Sequence, residues 1–285
     1  MLGFYNVIKP TGVSSGFIVN RIKKITGQKV GHLGTLDPLA SGVLPIAVGK
    51  ATRFFDYFLD KDKRYIAVAK FGVETTSLDA EGSIVGVDNK KIQLKEVELA
   101  AKSLVGKSFQ MPPKFSAKMV DGVRAYAAAL KDKDFNLQPK EVEIYSIEVS
   151  KGWQDDLFLL DIHCKSGTYV RSIVRDIAYK LKTCATTVAI IRTKSGKFCI
   201  DQAVTIEELE NSLDENLIKI NSILQFPIIE INARNAKDLL SGKEISINER
   251  DGEYLTLLGG EEFSIVECVN GKAKNKIYLN ERESL

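Results

Sequence analysis

Histidine and cysteine are scarce in this chain of 285 residues, which has two histidines and four cysteines. The cysteines form no CxxC pair, so we expect reduced cysteines and no zinc site built from Cys and His. The chain also lacks the P-loop of nucleotide hydrolases, the GxGxxG fingerprint of dinucleotide-binding folds and the GxSxG elbow of hydrolases. No run approaches the roughly 20 apolar residues that span a bilayer, and the N-terminus lacks a signal peptide pattern. The composition therefore predicts a soluble, cytoplasmic, globular protein.

Positive charge is concentrated in three segments, although the net charge of the whole chain is only +3. Residues 1–60 carry 7 Lys/Arg against 3 Asp/Glu, residues 101–140 carry 8 against 3, and residues 163–200 carry 8 against 1. Residues 201–230, in contrast, carry 1 Lys against 7 acids. Such segregation builds local positive fields, for which the phosphates of a nucleic acid are the natural partner. The alternative is three separate solvated faces.

The pattern of elements predicts an α+β fold, with a mixed, mainly antiparallel sheet and flanking helices. Helices are expected from the cap at Ser14 and Ser15 to Gly27, and over Lys95–Val105, Val170–Leu181 and Thr205–Leu213. Strands are expected over Tyr65–Val73, Glu141–Val149 and Leu157–Cys164. A boundary near residues 224–230 separates a domain of residues 1–226 from a small β-rich domain of residues 227–285. The second domain is expected to contain a strand (Ile228–Ile231), a helix (Ala236–Leu240) and three or four further strands.

A long excursion rich in lysine and aromatic residues lies at about residues 112–140. Two prolines open it, and a helix is expected near Val123–Leu130. Connections of this length inside a compact domain are usually functional or disordered.

Asp37 lies in a glycine-flanked, partly apolar segment, Gly34-Thr35-Leu36-Asp37-Pro38-Leu39-Ala40-Ser41-Gly42. The flanking glycines allow the backbone to approach a ligand closely. A carboxylate within an apolar wall needs a nearby cation to remain ionised. Asp37 is therefore a candidate nucleophile, although an Asp-Pro pair is also common in simple turns.

Arg171 is the candidate cation. The run Gly167-Thr168-Tyr169-Val170-Arg171 ends a predicted strand and begins a predicted helix. A guanidinium can bind a carboxylate through two parallel hydrogen bonds and so keep Asp37 ionised. The alternative is an arginine exposed at the start of a helix.

Two further residues are candidates for a substrate pocket. Tyr65, after Lys63-Arg64, can stack on a base and offers a hydroxyl for proton transfer, or it packs at the edge of the core. His32 has no second His or Cys nearby to complete a metal site. It is therefore expected to fill or read a pocket, or to lie on the surface.

The run His32-Leu33-Gly34-Thr35-Leu36-Asp37-Pro38-Leu39-Ala40-Ser41-Gly42-Val43-Leu44-Pro45 resembles the active-site motif of the bacterial tRNA pseudouridine-55 synthase family. Further segments agree in order: Asn6–Pro10 with Gly12 and Ser14-Ser15, Lys63-Arg64-Tyr65, Pro112-Pro113 to Ala117, Gly167–Arg171, and Arg192-Thr193 with Gly196 and Phe198. The resemblance covers about residues 4–227. The tail from Pro227 is similar, less specifically, to a small PUA-like RNA-binding domain.

The resemblance implies isomerisation of one uridine in the T loop of tRNA, with no cofactor, no metal and no obligatory protein partner. It implies that Asp37 is the nucleophile and that Arg171 is its partner. It also implies that Tyr65 stacks on the target base, that Tyr169 and Ile190 line the pocket, and that His32 fills the space left by the flipped nucleotide. Attack at C1′, attack at C6 and a glycal path all remain open. The segment after Pro113 matches a loop that closes over RNA.

One position departs from the family pattern, because Ile191 stands where the family usually has a second arginine. This puts one RNA contact or one structural salt bridge in doubt. Two alternatives to a stand-alone, monomeric enzyme are the catalytic subunit of a guide-RNA-dependent complex and a non-catalytic RNA-binding or RNA-folding protein. The short tail favours the stand-alone enzyme.

Overall fold

The structure is a computed structural model that describes residues 1–59, 61–114, 119–120, 123–124 and 137–279. Its α-helices are α1 (Ser15–Thr26), α2 (Leu94–Lys102), α3 (Val170–Lys180), α4 (Ile206–Asn211), α5 (Ile220–Leu224) and α6 (Ala233–Leu240). Its first strands are β1 (Gly3–Lys9), β2 (Val30–His32), β3 (Ala40–Val48), β4 (Asp62–Phe71), β5 (Val73–Thr75), β6 (Ile84–Val87), β7 (Gly106–Gln110), β8 (Met119–Val120) and β9 (Val123–Arg124). The later strands are β10 (Lys140–Lys151), β11 (Leu157–Lys165), β12 (Ala185–Ser195), β13 (Phe198–Cys199), β14 (Ile228–Glu230), β15 (Ile245–Ser246), β16 (Gly252–Leu258), β17 (Glu261–Val269) and β18 (Lys272–Tyr278). Two 3₁₀ helices, Gly49–Phe58 and Ile200–Gln202, complete the regular elements of the described ranges.

A nine-stranded sheet organises the first part of the chain, in the order β1-β3-β12-β4-β11-β10-β7, with β2 on β3 and β13 on β12. Every pair in it is antiparallel except β3 with β12. The α+β class and the mixed, mainly antiparallel sheet are therefore confirmed. Residues alternate between buried and more exposed along β4, as a strand with one face on a core requires.

Four helices cover one face of this sheet. Ile18 and Ile22 of α1 and Ile173 and Ile177 of α3 belong to one cluster of buried residues, to which α2 and α4 also contribute. Removing these side chains from water supplies the main favourable free energy of this layer. The same packing holds the start of α3 against the sheet, next to the segment that carries Asp37.

Capping residues set the ends of α1 as predicted. The Ser14 side chain accepts a hydrogen bond from the Phe17 amide, and Gly27 ends the helix at a φ of 65°, in the left-handed region. Helix α2 is shorter than predicted, because it ends at Lys102. The Leu104 and Val105 amides then bond three residues back, as in a turn, before Gly106 begins β7.

The C-terminal part forms a five-stranded sheet in the order β14-β16-β17-β18-β15, with α6 packed on it. The strand after Pro227, a helix and four further strands agree with the predicted elements. An aromatic cluster joins this sheet to the first part of the chain, since Phe4 and Phe54 share a core with Phe226, Leu255 and Ile265. The sheet is thus packed on the strands β1 and β3.

The excursion at about residues 112–140 lies mostly outside the described residues. Its Val123–Arg124 forms β9, paired with β8, so the predicted helix is wrong at these two residues. The rest of that predicted helix lies outside the described residues. No helix in the described ranges is both long and apolar enough to cross a membrane.

Candidate active site

The segment that carries Asp37 connects β2 to β3 and is anchored on both sides of the aspartate. The Ser15 hydroxyl donates to the Leu36 carbonyl and accepts from the Leu36 amide, at 2.9 Å in each case. The Gly12 amide donates to the Pro38 carbonyl at 2.9 Å. These bonds fix the backbone around Asp37, while its side chain remains 36% exposed.

A buried lysine ties the same segment to the first strand. The Lys9 ammonium is inaccessible to solvent and donates to the carbonyls of Pro10, Val13 and Pro38. Burial lowers the pKa of Lys9 to about 8, against the opposing attraction of Asp37. Lys9 therefore holds the two backbone segments together from inside the protein.

Arg171, the second residue of α3, lies beside Asp37. Its Nη2 is 2.6 Å from Asp37 Oδ2, and its side chain is only 4% exposed. The ion pair expected between these two residues is present, and the alternative of an arginine exposed at a helix start is wrong. Solvent reaches the carboxylate of this pair but scarcely reaches the guanidinium.

Asp79, which the sequence did not reveal as a site residue, binds the other side of the same guanidinium. Arg171 Nη1 donates to Asp79 Oδ2 at 3.1 Å and to the Ser77 carbonyl at 2.9 Å. The second carboxylate oxygen of Asp79 accepts from the Ser77 hydroxyl and from the Glu81 amide. Arg171 is thereby held in one orientation by two carboxylates, one buried and one open to solvent.

The loop that carries Asp79 connects β5 to β6 and is attached to the central sheet. The Thr187 amide of β12 donates to the Leu78 carbonyl, and the Ala80 amide donates to the Thr187 carbonyl, both at 3.0 Å. Leu78 has a φ of 61°, and a Cβ at Gly82 would collide with Ser77. The only sequence signal for this loop is its turn chemistry, Thr76-Ser77-Leu78-Asp79-Ala80-Glu81-Gly82-Ser83.

Tyr65 lies on β4 with its side chain on the buried face of the sheet. It is 8% exposed and pairs in register with Arg192 of β12 and Ile162 of β11. Burial raises the pKa of Tyr65 to about 12, although the adjacent Arg192 opposes this. The phenol is therefore protonated at neutral pH, so it is available as a hydrogen-bond donor and as a stacking surface.

Arg192 is fully buried beneath the Asp37 segment, a position that the sequence did not reveal. Its Nε donates to the Val43 carbonyl at 2.7 Å, Nη1 to the Thr35 carbonyl at 3.3 Å and Nη2 to the Gly34 carbonyl at 3.0 Å. Burial lowers the pKa of this guanidinium, and Tyr65 and Asp37 oppose the shift. Arg192 thus donates to three backbone carbonyls and ties the Asp37 segment to β3.

The remaining predicted pocket residues lie on three different elements. His32 is half-buried at the end of β2, and Ile190 is buried in β12, in register with Ala40 of β3. Tyr169 is the half-buried N-cap residue of α3, and its backbone exchanges two hydrogen bonds with the Gln110 side chain. Ile191 is 38% exposed, so an arginine at this position would reach solvent. This exposure indicates that the usual arginine makes a surface contact and not a buried salt bridge.

Among the residues that the structure describes, no group of three or more His, Cys, Asp or Glu could hold a metal ion. The charged groups around Asp37 are instead Lys9, Arg171 and Arg192, together with Asp79 and Glu81. Burial, followed by repulsion from Asp79 and Asp37, raises the pKa of Glu81. This arrangement places the partly exposed Asp37 carboxylate beside cations that solvent hardly reaches.

Comparison with known proteins identifies close relatives along most of the chain. Residues 22–170 match the family model described as the N-terminal domain of the TruB family of pseudouridylate synthases. A protein named tRNA pseudouridine synthase B from Caldanaerobacter subterraneus is 38% identical over 245 residues, which cover 85% of this chain and 86% of the relative. Proteins of the same name from Borreliella burgdorferi (36%, covering 96% of each chain) and Mycoplasma mobile (34%, covering 96% and 93%) are also similar.

Solved structures share the fold at lower identity. An H/ACA ribonucleoprotein bound to a substrate RNA containing 2′-deoxyuridine matches with a TM-score of 0.68 and 20% identity, covering 99% of this chain and 86% of the other. A Cbf5-Nop10-Gar1 complex matches with the same TM-score and identity, covering 98% and 84%. This likeness confirms the expected pseudouridine synthase fold, and on the identities above the chain belongs to the TruB family of pseudouridylate synthases, which are isomerases.

Proposed function

We propose that this protein isomerises uridine 55 in the T loop of tRNA to pseudouridine, with Asp37 as the nucleophile. The tRNA substrate is inferred from the shared name of the curated relatives. The assignment of Asp37 rests on its ion pair with Arg171, in which Asp37 Oδ2 lies 2.6 Å from Arg171 Nη2. The Asp37 side chain is 36% exposed, whereas that of Arg171 is only 4% exposed. Such a carboxylate is paired with a cation, fixed in position and accessible to a ligand.

The reaction is balanced without a cofactor or a metal. The glycosidic bond from N1 to C1′ breaks, the uracil rotates, and C5 bonds to C1′. The proton on C5 is lost and N1 gains one, so the atoms and the electrons of the nucleoside are unchanged in number. The residues therefore need only to hold the nucleoside, to stabilise the broken bond and to move one proton.

Asp37 takes part in the bond-breaking step. Attack on C1′, attack on C6 of the base and departure of the base through a glycal are each compatible with one carboxylate near the nucleoside. Arg171, shared by Asp37 and Asp79, orients the carboxylate and stabilises its charge. Asp79 acts through Arg171 and is a positioning residue.

Tyr65 and the other pocket residues hold the extruded base. The reacting atoms cannot be reached while the base is stacked in its loop, so the nucleotide must be flipped out at a cost of a few kcal/mol. Stacking on an aromatic ring returns about 1–3 kcal/mol. Tyr65 is the proposed platform, with Tyr169 and Ile190 as pocket walls and His32 in the space that the flipped nucleotide leaves.

RNA binding is assigned to the basic segments on either side of the pocket, mainly residues 101–140 and 163–200. The excursion at about residues 112–140 is the proposed closing loop. Residues 1–226 form the proposed catalytic domain and residues 227–285 the proposed PUA-like RNA-binding domain. Residues 227–285 carry 8 Lys/Arg against 11 Asp/Glu, so their contribution is expected to come from shape and hydrogen bonds more than from net charge.

The protein is proposed to act as a monomer in the cytoplasm, without a protein partner or a guide RNA. The test is incubation of the purified protein alone with an unmodified tRNA transcript, followed by mapping of pseudouridine along the RNA. The expected result is one new pseudouridine at position 55, and none in a transcript with cytidine at that position. Modification at another position would overturn the choice of uridine, and modification only after addition of a guide RNA would favour the guide-dependent alternative.

A further inference from the structure

Lys63 is a buried cation that lacks the acidic partner expected of it. Its side chain lies on the buried face of β4, the residue is only 8% exposed, and its Nζ donates to the Ser166 hydroxyl at 2.8 Å. In the described part of the chain no Asp or Glu oxygen lies within 4.0 Å of this nitrogen. An ammonium has three N–H donors, and the Ser166 hydroxyl accepts a hydrogen bond from one of them. Burying the other two without acceptors costs free energy, so an acceptor from a ligand would stabilise them.

Further cations lie close to Lys63. A Cβ built on Gly34 would be 3.4 Å from Lys63 Nζ and 3.7 Å from Arg192 Nη1, so both groups face the same glycine. A Cβ on Gly167, next to Ser166, would be 2.7 Å from Lys140 Nζ. Burial, followed by repulsion from Arg192, lowers the pKa of Lys63 to about 8, and Lys140 adds to this repulsion.

The acids of the site are committed to a different cation. Asp37 and Asp79 both bind Arg171, so this single guanidinium already has two carboxylate partners. Arg192 donates to carbonyl oxygens, which carry no formal charge. The side of the site formed by Lys63, Arg192, Gly34 and Ser166 is therefore positive, while the side formed by Arg171 holds two carboxylates for one guanidinium. An anion from outside the protein is the missing complement of the positive side.

We propose that Lys63 binds the phosphodiester next to the nucleoside that reacts at Asp37, an inference that rests on the proposed function. Lys63 precedes Tyr65 by two residues and shares its face of β4, about 7 Å away along the strand. The same strand thus presents a stacking surface for the base and an ammonium for its phosphate. Lysine binds phosphate as a point charge, and Gly34 leaves room for the phosphate because it has no side chain.

The test uses T-arm hairpin RNA in which a neutral methylphosphonate replaces one phosphate, either on the 5′ or on the 3′ side of the target uridine. We expect one of these two RNAs to bind the wild-type protein at least tenfold more weakly than the normal hairpin. Lys63→Met should weaken binding of the normal hairpin by a similar factor. Lys63→Met should bind the affected methylphosphonate RNA no more weakly than it binds the normal hairpin.

If Lys63→Met and the neutral linkage weaken binding independently, their factors multiply when the variant binds the methylphosphonate RNA. That result would overturn the proposal. So would wild-type binding that neither neutral linkage weakens, a result that needs no variant and does not depend on how Lys63→Met folds. Lys70→Met, on the more exposed face of the same strand and paired with Asp156, is the matched control and should leave binding unchanged. Wild-type protein that forms no pseudouridine in the normal hairpin would overturn the proposed function and this inference together. Pseudouridine formation without a phosphate effect would overturn this inference alone.

Discussion

Asp37 and Arg171 form an ion pair in which the cation is buried and the anion is accessible, at 4% and 36% exposure of their side chains. A surface pair of this length would contribute little, because water screens both charges. Here the guanidinium is shielded, and its other side is bound by Asp79 and by the Ser77 carbonyl. The carboxylate is consequently held in place while it remains accessible to solvent.

Asp37→Asn is expected to abolish pseudouridine formation, because an amide keeps the shape of the carboxylate but is not a nucleophile. Binding of tRNA should weaken less than tenfold, equivalent to about 1.4 kcal/mol, since phosphate contacts dominate affinity. Product mapping and filter binding measure the two effects. The matched control is Asp161→Asn, which should retain activity. Asp161 lies on β11, and its carboxylate is paired with Arg64 of β4. Normal turnover by Asp37→Asn would refute its role as nucleophile.

Asp79→Asn should lower kcat by about 100-fold and leave KM within threefold of the wild-type value. The variant displaces Arg171 and so misaligns Asp37, whereas Asp79 itself does not contact the RNA. Single-turnover kinetics at saturating enzyme separate this effect from binding. Ser77→Ala keeps the carbonyl that binds Arg171 and should have a smaller effect on kcat. Two results would argue for a purely structural role of Asp79. One is a rise in KM as large as the fall in kcat, and the other is a loss of folded protein in a thermal melt that accounts for the lost activity.

Tyr65→Phe should bind RNA within threefold of wild type, because phenylalanine preserves the aromatic surface. Tyr65→Ala should lose about 1–3 kcal/mol of binding free energy, the contribution expected from one base stacked on an aromatic ring. Titration with a T-arm hairpin measures both variants. Equal binding by the alanine variant would exclude stacking on Tyr65 as a source of affinity.

The phenol of Tyr65 should remain protonated well above the usual tyrosine pKa near 10, since burial raises its pKa to about 12. A spectrophotometric titration at 295 nm should therefore give the same curve for wild type and Tyr65→Phe up to about pH 11. Because the unfolded chain ionises at lower pH than the folded one, this residue's contribution to stability falls as the pH rises above about 10. An extra ionisation near pH 10 in wild type would contradict the burial of this side chain.

The sequence was most informative where structure depends on local chemistry. The caps of α1 at Ser14 and Gly27 and the capping box of α4, formed by Thr205 and Glu208, follow from side-chain and backbone bonding within a few residues. The resemblance to the family identified the Asp37 segment from an uninterrupted run of residues. Its pairing with Arg171, by contrast, joins two distant segments and was expected from the resemblance and from the carboxylate's need for a cation, not from local chemistry.

Contacts between distant segments were not predictable in this way. Asp79 meets Arg171 across 92 positions, and only turn residues mark the loop that carries it. Arg192 lies in its strand between the apolar pair Ile190-Ile191 and the polar pair Thr193-Lys194, and this local pattern does not indicate that β3 and the Asp37 segment enclose it. Strand β1 was also missed, because it is buried on both faces and its pattern does not alternate.

Raising the salt concentration should weaken tRNA binding steeply, because the basic segments at residues 101–140 and 163–200 release counterions from phosphates as they bind. Each neutralised phosphate contributes about −0.9 to the slope of log K against log salt concentration on duplex RNA, taken as similar to B-DNA, and about −0.7 on single strands. With four or more contacts we expect a slope of about −3 or steeper between about 50 and 300 mM KCl, a roughly sixfold change in salt concentration. Fluorescence anisotropy with a labelled T-arm hairpin measures it. A flat plot would mean that these segments are solvated faces, and that affinity comes from the base pocket alone.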